Sequence, residues 1–288
     1  MTDNLRGALL MALAMAGFSL EDMFIKLLAD ALPVGQILVM LGLGGTIILG
    51  TIANRKRQRL ITPLLLTPAI LTRNLFEMIG TIGFVLSFVL ASLATASAIL
   101  QSGPLLVTLG AVLFLGEKVG WRRWSAIAVG FFGVMLIVRP GLEGFEPAAL
   151  FAVLGVVGLA GRDLATRVIP QAVSSYQLST WAFAAIVPAG LLLMLIMQTP
   201  FVTPAPLHWL IILAALGIGV MAYYALVGAM RMGELSFVTP FRYTRMVFAL
   251  IIAVLVFGER PDALTLLGSA IIIAAGLFTL WRETRAAA

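Results

Sequence analysis

Ten runs of about 20 apolar residues follow one another along this 288-residue chain, with little but short turns between them. They cover residues 7–29, 34–53, 69–91, 94–115, 123–139, 147–166, 175–197, 207–230, 236–257 and 262–281. Coiled as an α-helix at about 1.5 Å per residue, a run of this length crosses the hydrocarbon core of a bilayer. Lipid offers no partner to a backbone N–H or C=O, so each run must satisfy its own, and a helix does this. Composition agrees: 61% of residues are hydrophobic and 11% charged, where a soluble domain carries about a quarter charged. The expected fold is all-α and integral to the membrane, with ten transmembrane helices and no soluble domain between them.

The net charge of +6 would suggest a nucleic-acid partner in a soluble protein. Here its distribution sets topology instead. With the N-terminus inside, Arg6, Arg55, Lys56, Arg57, Arg59, Lys118, Arg122, Arg123, Arg167, Arg231, Arg282 and Arg285 fall on the cytoplasmic side. Only Arg139 and Arg260 fall in external loops, so both termini are expected in the cytoplasm. Trp121, Trp124, Trp209 and Trp281 sit at segment ends, where an interfacial belt places them. Ala12-Leu13-Ala14 has the form of a signal cleavage site, but the apolar stretch before it, Ala8 to Met11, is too short for a signal core. The first segment is therefore expected to be a retained helix. There is no cysteine and a single histidine, His208. That leaves no metal-ligand set, no expected cofactor and no histidine-based nucleophilic machinery. Asp22 and Asp163 would serve a two-aspartate protease only if they met, and an inverted duplication sets them toward opposite leaflets.

The chain resembles itself at half its length. At an offset of 141, Asp22-x-x-x-Lys26 meets Asp163-x-x-x-Arg167, and Gln36 meets Gln177. At 142, Leu115-Gly116-Glu117-Lys118 meets Phe257-Gly258-Glu259-Arg260. Each glycine follows a long apolar run, the position of a left-handed helix cap. The boundaries expected are 1–142 for the first five-helix repeat and 143–288 for the second. Five is odd, so the second copy starts on the opposite face. This is the inverted arrangement in which two mirrored halves open a path alternately to either side.

Charges inside the spans need partners. Asp22 and Lys26 share a helix face at four residues' spacing and can pair; so can Asp163 with Arg167 and Arg73 with Glu77. Arg242 and Arg245 have no acid beside them on their own segment. Counting Lys26, Arg73, Arg162, Arg242 and Arg245 against Glu21, Asp22, Glu77 and Asp163 leaves one positive charge over, which suits one ligand carboxylate. Glu21, Asp22, Glu77 and Asp163 are also the groups able to carry a coupled proton. Pro104 and Pro240 interrupt the fourth and ninth segments, which transporters tolerate where backbone lines a path.

Ten helices, five-plus-five duplication, and Phe114-Leu115-Gly116-Glu117 and Val256-Phe257-Gly258-Glu259 after the fourth and ninth helices resemble the drug/metabolite transporter superfamily in its EamA-type branch. The resemblance runs from Gly7 to Arg282 and includes Lys26 late in the first helix, while Glu21-Asp22 departs from the small and aromatic residues common there. It implies a secondary transporter of the bacterial inner membrane, most similar to exporters of aromatic amino acids, with a central cavity between helices one, three, four, six, eight and nine. The substrate-binding candidates on those helices are Asp22, Glu77, Gln101, Asp163, Tyr223, Tyr224, Arg242 and Arg245. The tyrosines, with Phe84 and Phe88, suit stacking on a ring. Arg242 and Arg245 also suit a nucleotide sugar or sugar phosphate, and Glu21 a cationic drug. A receptor or assembly subunit that transports nothing would need no such polar interior. The expected partners are a small-molecule substrate and the lipid bilayer, with protons the candidate coupling ion and the duplicated chain complete as a monomer.

Overall fold

The computed structural model describes residues 3–287 apart from 117–119, 143–144, 171 and 232–237, so Glu117 and Lys118 of the repeated motif lie outside the described residues. The helices are α1 (Asp3–Ala29), α2 (Val34–Arg55), α3 (Pro68–Leu90), α4 (Leu93–Leu100), α5 (Gly103–Leu115), α6 (Trp121–Val138), α7 (Ala149–Arg167), α8 (Ser175–Ile196), α9 (Pro206–Arg231), α10 (Thr244–Leu255) and α11 (Ala263–Ala287). A short 3₁₀ turn, Thr239–Tyr243, leads into α10. No strand occurs among the described residues. The ten expected spans are all represented. Seven are long and apolar enough to cross a membrane: α1, α2, α3, α4 with α5, α7, α8 and most of α9. The fifth and tenth are shorter apolar helices within α6 and α11.

The fourth span breaks where Pro104 removes a backbone donor, and the gap at Gln101 and Ser102 separates α4 from α5. The ninth span breaks at the equivalent place: α5 begins at Gly103 and α10 at Thr244, and 244 − 103 = 141. The two helices then end alike. Gly116 (φ +71°) and Gly258 (φ +63°) both take the left-handed conformation that a side chain resists.

Packing displays the inverted repeat directly. α1 lies on α9 and α3 on α7, two contacts that exchange when each span is replaced by its counterpart in the other half. α2 on α8, α4 on α10 and α6 on α11 each join a span to its own counterpart, as elements on a twofold axis must. Two buried glutamines mark the same symmetry. Gln36, at the start of α2, donates to Val202 O (2.6 Å) and accepts from Val202 N (2.8 Å), gripping the α8–α9 loop. Gln177, at the start of α8, donates to Arg59 O (2.7 Å), gripping the loop between α2 and α3.

Close approach of backbones sets the register. A Cβ on Gly158 would fall 2.4 Å from Gly80 N in the α7–α3 crossing. The mirror crossing brings Gly17 of α1 against Ala222 of α9. Since 158 − 17 = 141 and 222 − 80 = 142, the duplication holds residue for residue inside these two crossings. Leu28, Ile37, Phe88, Leu93, Ile99, Val156 and Ile272 fill one continuous core. Leu13, Ile47, Leu195 and Leu255 are largely exposed, an apolar exterior suited to lipid.

Candidate substrate site

The intramembrane charges do not pair along their own helices, as the sequence suggested, but mostly across helices. Asp22 of α1 accepts from Arg245 Nη2 of α10 at 2.8 Å. Lys26, one turn on, reaches the other way, donating to Glu259 Oε1 (2.7 Å) and to Ala91 O (2.9 Å). The expected Asp22–Lys26 pair is thereby replaced by two longer-range ones. The reason is steric: α10 and the α3–α4 turn bring stronger partners to each end of that face than α1 itself supplies. Asp163 accepts from its neighbour Arg162 (2.8 Å). Arg73 and Glu77 do pair within α3, at 3.3 Å, and Arg162 of α7 joins them at 3.1 Å.

The expected surplus of one positive charge therefore needs correcting. Glu259, which lies beyond the ninth span, neutralises Lys26. Among the described residues, two intramembrane charges then remain without an ion pair or hydrogen bond: Arg242 and Glu21. They have opposite sign. Arg245 lies within electrostatic range of both, and Asp163 is the acid in range of Arg242. Glu21 lies against the backbone of α9, where a Cβ on Gly219 would fall 2.4 Å from its Oε1. Arg242 sits in the 3₁₀ turn and not in a continuous helix.

Aromatic rings border these charges. The Arg245 guanidinium carbon lies 5.2 Å from the Phe84 ring centroid and 5.4 Å from that of Phe18. Phe84 meets Phe88 edge to face at 5.2 Å. Several buried donors on the spans have no hydrogen-bond partner among the described residues: Arg245 Nε, Arg73 Nε, Ser97 Oγ, Gln101 Nε2 and Tyr243 Oη, the last packed against Gly276 of α11. A buried donor left unpaired costs about 1–3 kcal/mol. Such atoms call for a water, an ion or a ligand to complete their bonding.

The other two candidates are placed differently. Tyr223 bonds the Ser179 hydroxyl across the α9–α8 contact. Tyr224 is 47% exposed and bonds Tyr176 on the outside of α8, so the structure does not bring it to the interior charges. His208 accepts from Ala205 N at the start of α9. Three participants escape sequence reasoning: Glu259, Ser92 and Gly219. Glu259 accepts from Ser92 Oγ (2.6 Å), Leu93 N (2.9 Å) and Ala94 N (3.1 Å), so that it caps α4 as well as holding Lys26. The repeated Gly-Glu was the available signal for it, because the carboxylate follows a helix cap in both halves.

Comparison with known proteins fits this geometry. The model of the EamA-like transporter family matches residues 5–139 and again 146–281. An S-adenosylmethionine uptake transporter of Rickettsia felis is 30% identical over 74% of this chain and 72% of its own length. A riboflavin transporter of Rhizobium johnstonii is 30% identical over 75% of this chain and 70% of its own. A pseudopaline exporter of Pseudomonas aeruginosa is 26% identical over 93% and 94%. One crystal structure, 17% identical, superposes with a TM-score of 0.55 over 96% of this chain and 99% of its own. With two family matches that between them take in all ten spans, the chain belongs to the EamA-like transporters, membrane proteins that carry small molecules.

Proposed function

We propose that this protein is a secondary transporter of amino acids and related zwitterions that bear an aromatic ring, working by alternating access. One observation carries the reading: Glu21 and Arg242, opposite in sign, are the intramembrane charges left unpaired among the described residues, with Arg245 in electrostatic range of both and stacked on Phe84. A free zwitterion supplies one ammonium and one carboxylate, which neutralises both without a net charge in the membrane. A ring on the same solute finds Phe84 and Phe88. A sugar phosphate leaves Glu21 uncompensated, and a simple cation leaves Arg242 so.

Two relatives support the class: riboflavin carries an aromatic ring, and S-adenosylmethionine an adenine ring and an amino-acid head. Export is the direction we favour, because the relative that matches nearly end to end is an exporter. Uptake of S-adenosylmethionine is the second reading, favoured by the higher identity of that relative. In this scheme the units are residues 1–142 and 143–288, rocking about the α2–α8, α4–α10 and α6–α11 contacts. Both termini face the cytoplasm of a bacterial inner membrane, and one chain forms the whole path.

Reconstituted flux tests the reading. Vesicles holding the purified protein are offered labelled phenylalanine, threonine, S-adenosylmethionine, a sugar phosphate and a cationic dye, with and without a pH gradient. Protein-dependent phenylalanine flux, competed by other aromatic amino acids and reduced more by Arg245→Ala or Gln101→Ala than by Leu193→Ala, is the expected result. Response to the gradient reports proton coupling. Flux of the phosphate or dye alone overturns the zwitterion assignment.

A further inference from the structure

Glu21 is anomalous for a reason that the repeat makes visible. At the offset of 141 its counterpart is Arg162. Arg162 packs from α7 onto α3 and pairs with Glu77 at 3.1 Å. The mirror crossing is α1 on α9, and at the offset of 142, which the Gly80–Ala222 equivalence fixes, the counterpart of Glu77 is Gly219. One half thus holds cation against acid. The other half holds an acid against a glycine. The charge is reversed on one helix and its partner is deleted from the other, so Glu21 faces bare backbone where the other crossing has a counter-charge.

Other span acids lack this feature. Asp22 has Arg245, Glu77 has Arg73 and Arg162, and Asp163 has Arg162. Among the described side chains, the charged groups on the elements packed against α1 are Arg245 of α10, Arg242 of the 3₁₀ turn, Arg73 and Glu77 of α3, and Arg55 at the end of α2. None of these forms an ion pair or hydrogen bond with Glu21 among the described residues, although Arg245 lies within electrostatic range of it. A carboxylate at this depth costs about 2.5 kcal/mol or more without a partner, and apolar side chains would fill the α1–α9 crossing equally well.

We infer that Glu21 and Gly219 form the seat for the ammonium group of the transported solute, with Gly219 setting specificity by giving the Glu21 carboxylate the room that a side chain would take. The inference rests on the zwitterion reading for its substrate, but not for its cation. Ammonium fits because the carboxylate oxygens accept from no protein donor among the described residues and can accept from its N–H groups.

The test is ligand binding to purified full-length protein, read by isothermal titration. The probes are phenylalanine, 2-phenylethylamine (no carboxylate) and 3-phenylpropionate (no ammonium). Glu21→Gln is expected to weaken phenylalanine and 2-phenylethylamine about tenfold or more and to leave 3-phenylpropionate within about twofold. Gly219→Ala is expected to give the same pattern, because its Cβ displaces the carboxylate; it keeps the test open should Glu21→Gln fail to fold. Equal weakening of all three probes, or unchanged 2-phenylethylamine binding, overturns the seat, as does a wild-type protein that binds no amine. Binding of 2-phenylethylamine that depends on Glu21, without binding of phenylalanine, upholds the seat and overturns the zwitterion reading alone.

Discussion

Glu259→Gln should unlatch one face of the bundle. The wild-type carboxylate holds four donors from two places: Lys26 Nζ on α1, and Ser92 Oγ, Leu93 N and Ala94 N at the start of α4. The Lys26 and Glu259 side chains are only 16% and 14% exposed, so the surface discount on ion pairs does not apply. Glutamine keeps one acceptor, loses the charge, and turns an NH₂ donor toward donors. A hydrogen bond to a charged group is worth about 1.5–3 kcal/mol net. Taking about 2 kcal/mol, the ratio of open to latched protein rises about 30-fold. The chain contains no cysteine, so Ser97→Cys on α4, buried at 1% exposure, is a single reporter. The assay is its reaction rate with a membrane-impermeant maleimide added on the Glu259 face, with and without Glu259→Gln. Asp262→Asn serves as control, since in the Arg139–Asp262 pair on the same face the Asp262 side chain is 50% exposed, and its loss should change labelling less than about twofold. A rise below about threefold with Glu259→Gln, in protein that folds normally, refutes the latch.

The same face should respond to acid with a definite sign. Burial would raise the Glu259 carboxyl, but its bonds from Lys26, Ser92, Leu93 and Ala94 outweigh this and hold it below its ordinary value. The Arg139 bond takes Asp262 down to about 2. A depressed carboxylate contributes stability above its unfolded pKa and loses it as pH falls through the folded value. Labelling at Ser97→Cys, divided at each pH by the rate of the same protein unfolded in denaturant to remove the change in thiolate fraction, should therefore be flat between about pH 6 and 8 and rise only below about 4.5. Asp22→Asn or Arg245→Gln alone should each destabilise by about 3–5 kcal/mol, because each strands a buried charge; the double variant should recover much of this in a thermal-unfolding cycle, and strict additivity would count against the pair. Gln36→Leu and Gln177→Leu should cost similar amounts, about 1–3 kcal/mol each by denaturation in detergent, since each leaves backbone groups of the opposite half unpaired. A large difference between them would deny the symmetric role.

What the sequence makes legible follows from what repeats along it. Ten spans can be read because apolar length is a one-dimensional quantity. The inversion can be read because Asp22, Gln36 and Gly116 return at 141 or 142 residues. The glycine caps can be read because Gly116 and Gly258 end long apolar runs. Partners across helices are another matter. Four-residue spacing finds Arg73–Glu77 correctly, yet gives Asp22 to Lys26 when Arg245, 223 positions away, takes it instead. Spacing reports which residues share a face, while the neighbouring helix decides what that face meets. Tyr224 shows the same limit: its segment is right for an interior ring, but its side of α9 is the exposed one.

Symmetry in this protein is kept by backbone and broken by charge. The features that obey the twofold relation are those that determine where helices lie: Gly17–Ala222 against Gly158–Gly80, the Gln36 and Gln177 clamps, the paired breaks at Gly103 and Thr244, and the two left-handed caps. An inverted frame needs these in both copies, because one half must be able to take the other's conformation when the path reverses. Some ionisable residues repeat as well, Asp22 with Asp163 and Lys26 with Arg167, but the ion pairs they form do not. Arg162–Glu77 locks one crossing and Glu21–Gly219 leaves the other open; Arg245–Asp22 has no counterpart, since the offset of 141 puts Pro104 in the place of Arg245. A solute with a head and a tail is not symmetric, and a site that binds it in one orientation cannot be. On the proposed reading the asymmetry belongs where the ligand touches, so loss of Glu21, Arg242 or Arg245 should change what is carried, while loss of Gln36, Gln177 or the crossing glycines Gly80 and Gly158 should change only whether the frame stands.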